Sequence, residues 1–325
     1  MKRLDYYWYS FNFISILLLP VSALYCLLSS VRRLLYTTGV LPSYKAPLPV
    51  IVIGNITVGG TGKTPVIIEL VKILQSQGKK PGVISRGYAG KAQSWPQIVN
   101  ESSNADLVGD EPQLIFQSTQ CPVVVGPDRR QDIELLNKQF DCDVILSDDG
   151  LQHYKMKRDI EVAVVDAVRM FGNGLCIPSG PLRERPSRLK QVDMVLYNGG
   201  DENDIAFSLQ PGRCQSVGRD NMTAVELDSF SGKTVHAVAG IGNPERFFNL
   251  LEKYGIKVIK HVFADHADYN KQDLCFDDEY PVLMTEKDAI KCFKFDLANH
   301  WFVPVQVKFT SSAQTALQKI FNIIN

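Results

Sequence analysis

The fold is decided by Pro49-Val-Ile-Val-Ile-Gly54-Asn-Ile-Thr57-Val-Gly-Gly-Thr-Gly-Lys63-Thr64-Pro65. Residues 49–53 read as a short buried strand bounded by Gly54, and Ile67–Leu74 reads as a helix that ends near Gly78. Strand, glycine-rich turn, Lys-Thr and helix together form the setting of a phosphate-binding P-loop. Phosphate oxygens need several backbone N–H donors at short range. Gly59, Gly60 and Gly62 let the backbone curl around them without Cβ clashes, and the helix start adds its positive dipole end. On this reading Thr57, Val58, Gly59, Gly60, Thr61, Gly62, Lys63 and Thr64 hold a nucleotide. Lys63 reaches the β- and γ-phosphates, and the Thr64 hydroxyl serves Mg²⁺. The usual pattern carries glycine where Thr57 stands. The plain alternative is a glycine-rich turn followed by a chance Gly-Lys-Thr.

A second acidic element supports the P-loop. Asp143-Val-Ile-Leu-Ser-Asp148-Asp149-Gly reads as a buried strand ending in two carboxylates. Parallel strands carry ligands at their carboxyl ends, where a neighbouring carboxylate helps hold Mg²⁺; ordinary turn chemistry also uses such pairs. Gly109-Asp110-Glu111-Pro112 lies before the helical run Gln113–Gln117. A kinase acting on a hydroxyl profits from a carboxylate that accepts its proton, and the same acids equally suit helix capping. Glu111 joins Thr64, Asp148 and Asp149 as a candidate on the metal side.

For an acceptor, Ser85-Arg86-Gly87-Tyr88 follows the strand Gly82–Ser85. Arg86 and Tyr88 offer a phosphate contact and a stacking or donating ring. Arg129 follows the strand Pro122–Val125, and Gln152-His153 trails the acidic pair. A long Gly/Pro loop from Phe171 ends in Arg183 and Arg185, which suit an acidic head group or simple solvation.

From Tyr6 to Val31 the chain carries no charge. Its length permits a membrane crossing. Pro20 interrupts it, the aromatics at 6–9 resemble an interfacial belt, and Asn12, Ser15, Ser22 and Ser29 form a narrow polar stripe. A helix lying in the membrane interface therefore competes with a spanning one. Arg32, Arg33 and Lys45 put the next domain on the cytoplasmic side. The whole chain has 325 residues, with 35 basic and 35 acidic side chains. That length suggests two domains with an appendage, and the zero balance gives no support to nucleic-acid binding. Seven cysteines without a CxxC indicate neither a disulfide framework nor a zinc site.

Five motifs occur in one order: Thr57-Val-Gly-Gly-Thr-Gly-Lys-Thr-Pro65, Ser85-Arg-Gly-Tyr88, Gly109-Asp-Glu-Pro112, Asp148-Asp-Gly-Leu-Gln-His153 and Gly172-Asn-Gly with Gly180-Pro-Leu-Arg-Glu184. The set resembles the tetraacyldisaccharide 4′-kinase family over essentially the whole chain, and that family also lacks glycine at the Thr57 position. The resemblance implies transfer of the ATP γ-phosphate, with Mg²⁺, to the 4′-hydroxyl of a tetraacylated glucosamine disaccharide 1-phosphate, giving lipid IVA. It implies Asp110 as catalytic base, paired with a second-domain histidine best matched by His266; Ala264 stands where the family shows proline. It also implies work at the cytoplasmic face of the inner membrane through an N-terminal anchor, with no obligate protein partner.

The expected fold is α/β. Residues 1–34 form a membrane-associated helix, 35–220 a P-loop domain with a mostly parallel sheet, and 221–325 a smaller α/β domain. Its strands are expected at Thr234–Ala239, Lys257–Phe263, Val282–Thr285 and Val303–Phe309, with a hinge in Gly218–Gly232. Two other readings differ in class. A nucleotide switch would want Asn/Thr-Lys-x-Asp, and Thr285-Glu-Lys-Asp288 has those letters in the wrong spacing. An ATP-dependent enzyme on a soluble acceptor would not need residues 6–31.

Overall fold

The computed structural model describes residues 4–88, 90–217, 224–295 and 297–323. The chain begins with a 3-10 turn at Leu4–Tyr7, then α1 (Phe13–Leu17) and α2 (Leu19–Thr37). Pro20 sits in the first turn of α2, where its missing N–H is harmless, so the apolar run becomes two helices. No described helix is long and apolar enough to cross a membrane. The polar stripe turns inward: Ser15 and Ser22 are buried, and Ser22 Oγ donates to the Cys176 carbonyl at 2.7 Å. A stripe that faced water would leave these hydroxyls solvated; here the fold body satisfies them. The outward face is apolar, with Leu17, Val21, Leu24 and Leu28 all more than half exposed.

The first lobe follows as β1 (Val50–Gly54), α3 (Lys63–Ser76), β2 (Pro81–Ser85), β3 (Gln97–Val99), α4 (Ala105–Val108), α5 (Asp110–Thr119), β4 (Val123–Val125), α6 (Arg129–Gln139), β5 (Val144–Asp148), β6 (Ile160–Asp166), β7 (Met194–Asn198) and β8 (Ala206–Pro211). The second adds β9 (Cys214–Ser216), β10 (Ala224–Val225), β11 (Thr234–Ala239), α7 (Pro244–Lys253), β12 (Lys257–Val262), β13 (Val282–Thr285), α8 (Glu286–Cys292) and β14 (His300–Val303). Last come β15 (Val305–Phe309) and α9 (Ser311–Phe321).

Nine strands form one sheet in the order β15-β8-β7-β6-β1-β5-β2-β4-β3, parallel except at the edges β15 and β3. Helices cover it, so its inner strands are mainly apolar, and every residue of β1 and β6 is buried. Each such Ile or Val contributes about 1.5–3 kcal/mol. Because β1, β2, β5, β6 and β7 run the same way, their carboxyl ends share one rim. That rim carries the P-loop, Ser85, Asp148, Asp166 and Asn198. The second sheet runs β10-β9-β14-β13-β11-β12, and β12, β11, β13 and β14 are parallel.

Two boundaries depart from expectation. The run Val303–Phe309 is not one strand: Pro304 divides β14 in the small sheet from β15 in the large one. Proline lacks the ladder donor and so marks the break. The last strand and helix therefore belong to the first lobe. The outward crossing falls at Gly212–Arg213, between β8 and β9, where Gly212 N–H donates to the Pro304 carbonyl at 2.8 Å. Gly218–Gly232 does not separate the lobes, since β10 within it pairs with β9 just before it in one sheet; its residues 218–223 lie outside the described residues.

Candidate active site

The P-loop is built from below. Gly62 caps α3 at φ 95°, and a Cβ there would lie 2.6 Å from Asn198 Nδ2. That same Nδ2 donates to the Thr61 carbonyl at 3.0 Å, so glycine is required where loop and β7 meet. Asn55 Nδ2 braces the turn from inside, donating to Thr61 Oγ1 at 3.3 Å. Lys63 then opens α3, its Nζ 3.6 Å from Asp149 Oδ1, and Thr64 is buried beside it. The helix N-terminus, the glycine turn and the lysine point one positive end at one place.

Asp148 ends β5 beneath this loop, in register with Ile53 of β1. Its Oδ2 accepts from Ser85 Oγ at 2.9 Å, and its Oδ1 is buried with no hydrogen-bond partner. Burial, Glu111 and Asp149 push its carboxyl well above the usual range. A carboxylate so placed wants a cation. Among the described residues no three His, Cys, Asp or Glu side chains gather into a metal cage. Mg²⁺ needs only one or two carboxylates with phosphates and water, so Asp148, Thr64 and nearby Glu111 fit it. Asp149 differs: burial opposes its charge, yet Lys63 and Arg183 hold its carboxyl down at about 2. Arg183 Nη1 donates to it at 2.8 Å.

The second lobe closes over this rim. A Cβ on Gly242 would lie 2.5 Å from the Gly60 nitrogen. Arg169 ties the two turns together, donating to the Gly60 carbonyl and, at 3.0 Å, to the Gly242 carbonyl. Farther along, Asp110 at the start of α5 meets His266, whose Nδ1 lies 2.9 Å from Oδ1 and 3.1 Å from Oδ2. Asp110 is 4% exposed, with Lys291 Nζ at 3.6 Å and Lys287 Nζ at 3.9 Å. Burial opposes its charge, but the His266 hydrogen bond and the Lys287 and Lys291 ammoniums hold its carboxyl down at about 2. The Tyr88 ring lies 5.0 Å from the His266 ring.

The remaining sequence candidates divide. Arg86 is exposed at the same rim, after β2. Gln152 is committed locally, donating to the Asn55 carbonyl at 3.1 Å and to Glu184 at 2.9 Å. Burial, Arg129 and Arg158 push the His153 imidazole down to about 4, so it is neutral. Arg185 is exposed, its Nε donating to Cys26 Sγ of α2 at 3.0 Å. Arg129 is a correction: it is sealed under β5, paired with Asp132 at 3.3 Å and donating to the Asp148 carbonyl at 3.0 Å. The α6 start draws it inward, so it braces the acidic strand end and does not face an acceptor.

Removing one partner of such a buried pair leaves an uncompensated charge. Arg129→Met is therefore expected to destabilise the fold by about 3–5 kcal/mol, read from denaturant midpoints. An unchanged midpoint would refute that brace.

Sequence reasoning missed Lys287, Lys291, Arg169 and Asn198. The lysines had a signal: they lie four apart on α8, which Thr285 caps by accepting from Asp288 N–H. Two of their partners, Glu111 for Lys287 and Asp110 for Lys291, lie in the other lobe, more than 150 residues away in sequence.

A triphosphate cradle at the end of a central parallel strand, faced by a carboxylate–imidazole couple, defines the class: a P-loop kinase. Comparison with known proteins narrows this. The family described as tetraacyldisaccharide-1-P 4′-kinase matches residues 14–322, and the chain belongs to that family. The tetraacyldisaccharide 4′-kinase of Nitrosococcus oceani is 49% identical over 309 residues, covering 94% of this chain and 90% of its own. That of Actinobacillus pleuropneumoniae is 46% identical over 315 residues, covering 95% and 96%. The crystal structure of LpxK from Aquifex aeolicus in complex with ATP superposes with TM-score 0.78 at 28% identity, over 96% of this chain and all of that one.

Proposed function

We propose that the protein transfers the γ-phosphate of ATP to the 4′-hydroxyl of a tetraacylated glucosamine disaccharide 1-phosphate, forming lipid IVA. One observation carries the reading: Asp110, bonded to His266, is followed directly by Glu111, which lies close enough to Asp148 at the P-loop rim to raise its carboxyl. The P-loop backbone cradles the phosphates, and Lys63 draws charge from the transferring group. Thr64 and Asp148, with Glu111 and Asp149 nearby, would hold Mg²⁺, and the ion would supply positive charge to offset that of the phosphates. Asp110 orients the acceptor hydroxyl and takes its proton. Arg86, Tyr88 and Arg183 are proposed to hold the disaccharide phosphate end, with Gln152 and His153 supporting that wall.

The N-terminal helices are read as the anchor that rests on the inner membrane from the cytoplasmic side. Their apolar face points away from the fold, and Arg32 and Arg33 follow it. Leu24→Glu with Leu28→Glu should weaken sedimentation with anionic vesicles by at least about tenfold, since each side chain contributes about 1.5–3 kcal/mol. Turnover on detergent-dispersed substrate should survive; undiminished vesicle binding would refute the anchor.

Purified protein, labelled ATP and the acylated disaccharide 1-phosphate test the main reading. Label should appear at the 4′ position, stop on chelation of Mg²⁺ and return on its readdition. Label on a soluble acceptor but not on the lipid would favour a soluble-substrate enzyme.

A further inference from the structure

Lys287 belongs to Thr285-Glu-Lys-Asp288, a segment that fits no nucleotide motif. It lies in the first turn of α8, its side chain 15% exposed. An ammonium has three N–H donors and no acceptor. Lys287 Nζ meets three acceptors: Glu111 Oε1 at 2.9 Å, Asp265 Oδ1 at 3.3 Å and His266 Nε2 at 3.4 Å. His266 Nδ1 meets the Asp110 carboxylate. Nδ1 faces the Asp110 carboxylate at 2.9 Å, and the nearest group to Nε2 is the Lys287 ammonium at 3.4 Å, with Asp265 Oδ1 farther off at 3.7 Å. A carboxylate accepts and an ammonium donates. The neutral ring protonated at Nδ1 satisfies both, whereas protonation at Nε2 sets a lone pair against the carboxylate and an N–H against the ammonium. The backbone at His266 is left-handed, φ 60°, uncommon outside glycine.

Resting on the kinase reading, we propose that Lys287 is a positioning residue: it fixes His266 as the Nδ1–H tautomer, and that N–H holds the Asp110 carboxylate toward the acceptor hydroxyl. Glu111 of the first lobe binds the same ammonium. The alignment therefore forms only when the two lobes meet, which ties proton acceptance to closure.

The test uses the full chain labelled with ¹⁵N at its five histidines. Long-range proton–nitrogen spectra report which ring nitrogen carries hydrogen, and His266→Gln identifies the signal. Wild type should show Nδ1–H. In Lys287→Met the ring should acquire the Nε2–H form. There kcat should fall by about 10²-fold, the low end of a general-base contribution, while KM for ATP stays within about twofold. Lys287→Arg keeps charged donors and should restore Nδ1–H with at least about a tenth of turnover. If Lys287→Met does not fold, Lys287→Gln, too short to reach all three acceptors, should show the same ring change. An Nε2–H ring in wild type, or an unchanged ring in the folded neutral variant, overturns the proposal. The spectra need no turnover. An Nδ1–H ring in a protein without kinase activity would sink the kinase reading and leave the tautomer assignment standing.

Discussion

Lys63→Ala loses turnover and nucleotide affinity together. Removing one preorganised charge from a transferring group costs about 10²–10³ in kcat, and a P-loop lysine also touches the bound phosphates. We expect kcat to fall by about 10³-fold and the ATP dissociation constant to rise by about tenfold. The fold should survive. Asp149 keeps Arg183 at 2.8 Å when Lys63 is gone, so its ion pair survives. Single-turnover rates and calorimetry on the same preparation separate the two effects. Near-normal turnover in a correctly melting variant would remove Lys63 from the reaction.

Asp110→Asn is expected to do the opposite: turnover collapses and ATP binding holds. The amide keeps the shape but cannot take a proton, and general-base loss costs about 10²–10⁴ in rate. The ATP dissociation constant should stay within about twofold, because the P-loop contacts are intact. The substitution also leaves a mark on acid stability. Asp110 sits at about 2 when folded against 3.8 ordinarily. A depressed carboxyl contributes stability above the unfolded value and loses it as pH falls through the folded one. The contribution is about 2 kcal/mol at neutral pH, fading between about pH 4 and pH 2. Thermal melts across that window should therefore slope less steeply in Asp110→Asn than in wild type. Parallel slopes would mean that the lysines and His266 do not hold this carboxylate as described.

The parts of the site that sequence reveals are those made by contiguous residues. The P-loop is one uninterrupted strand, turn and helix, so its glycines and Lys63 can be placed from spacing alone. Asp148 follows because a buried apolar run must end at a sheet rim. The alternation of strands and helices after residue 230 likewise declares an α/β unit. What spacing cannot disclose is which surfaces meet. Lys287 and Lys291 look like solvated charges on a short helix until α5 arrives opposite them. Arg129 has the composition of an anion ligand, and only the burial of Asp132 shows where it points. The serines of α2 mark a polar stripe from sequence, but whether water or protein satisfies them depends on the loop around Cys176.

The passage at Gly212 and Pro304 shapes how the molecule works mechanically. Strands β8 and β15 pair in one sheet, β9 and β14 in the other, and the two crossings are bonded to each other. The lobes are thus joined by a double strap, not by a single thread. Such a strap flexes like a leaf spring across its width and resists torsion about its length. Any approach of the cap to the cradle would then follow a single arc.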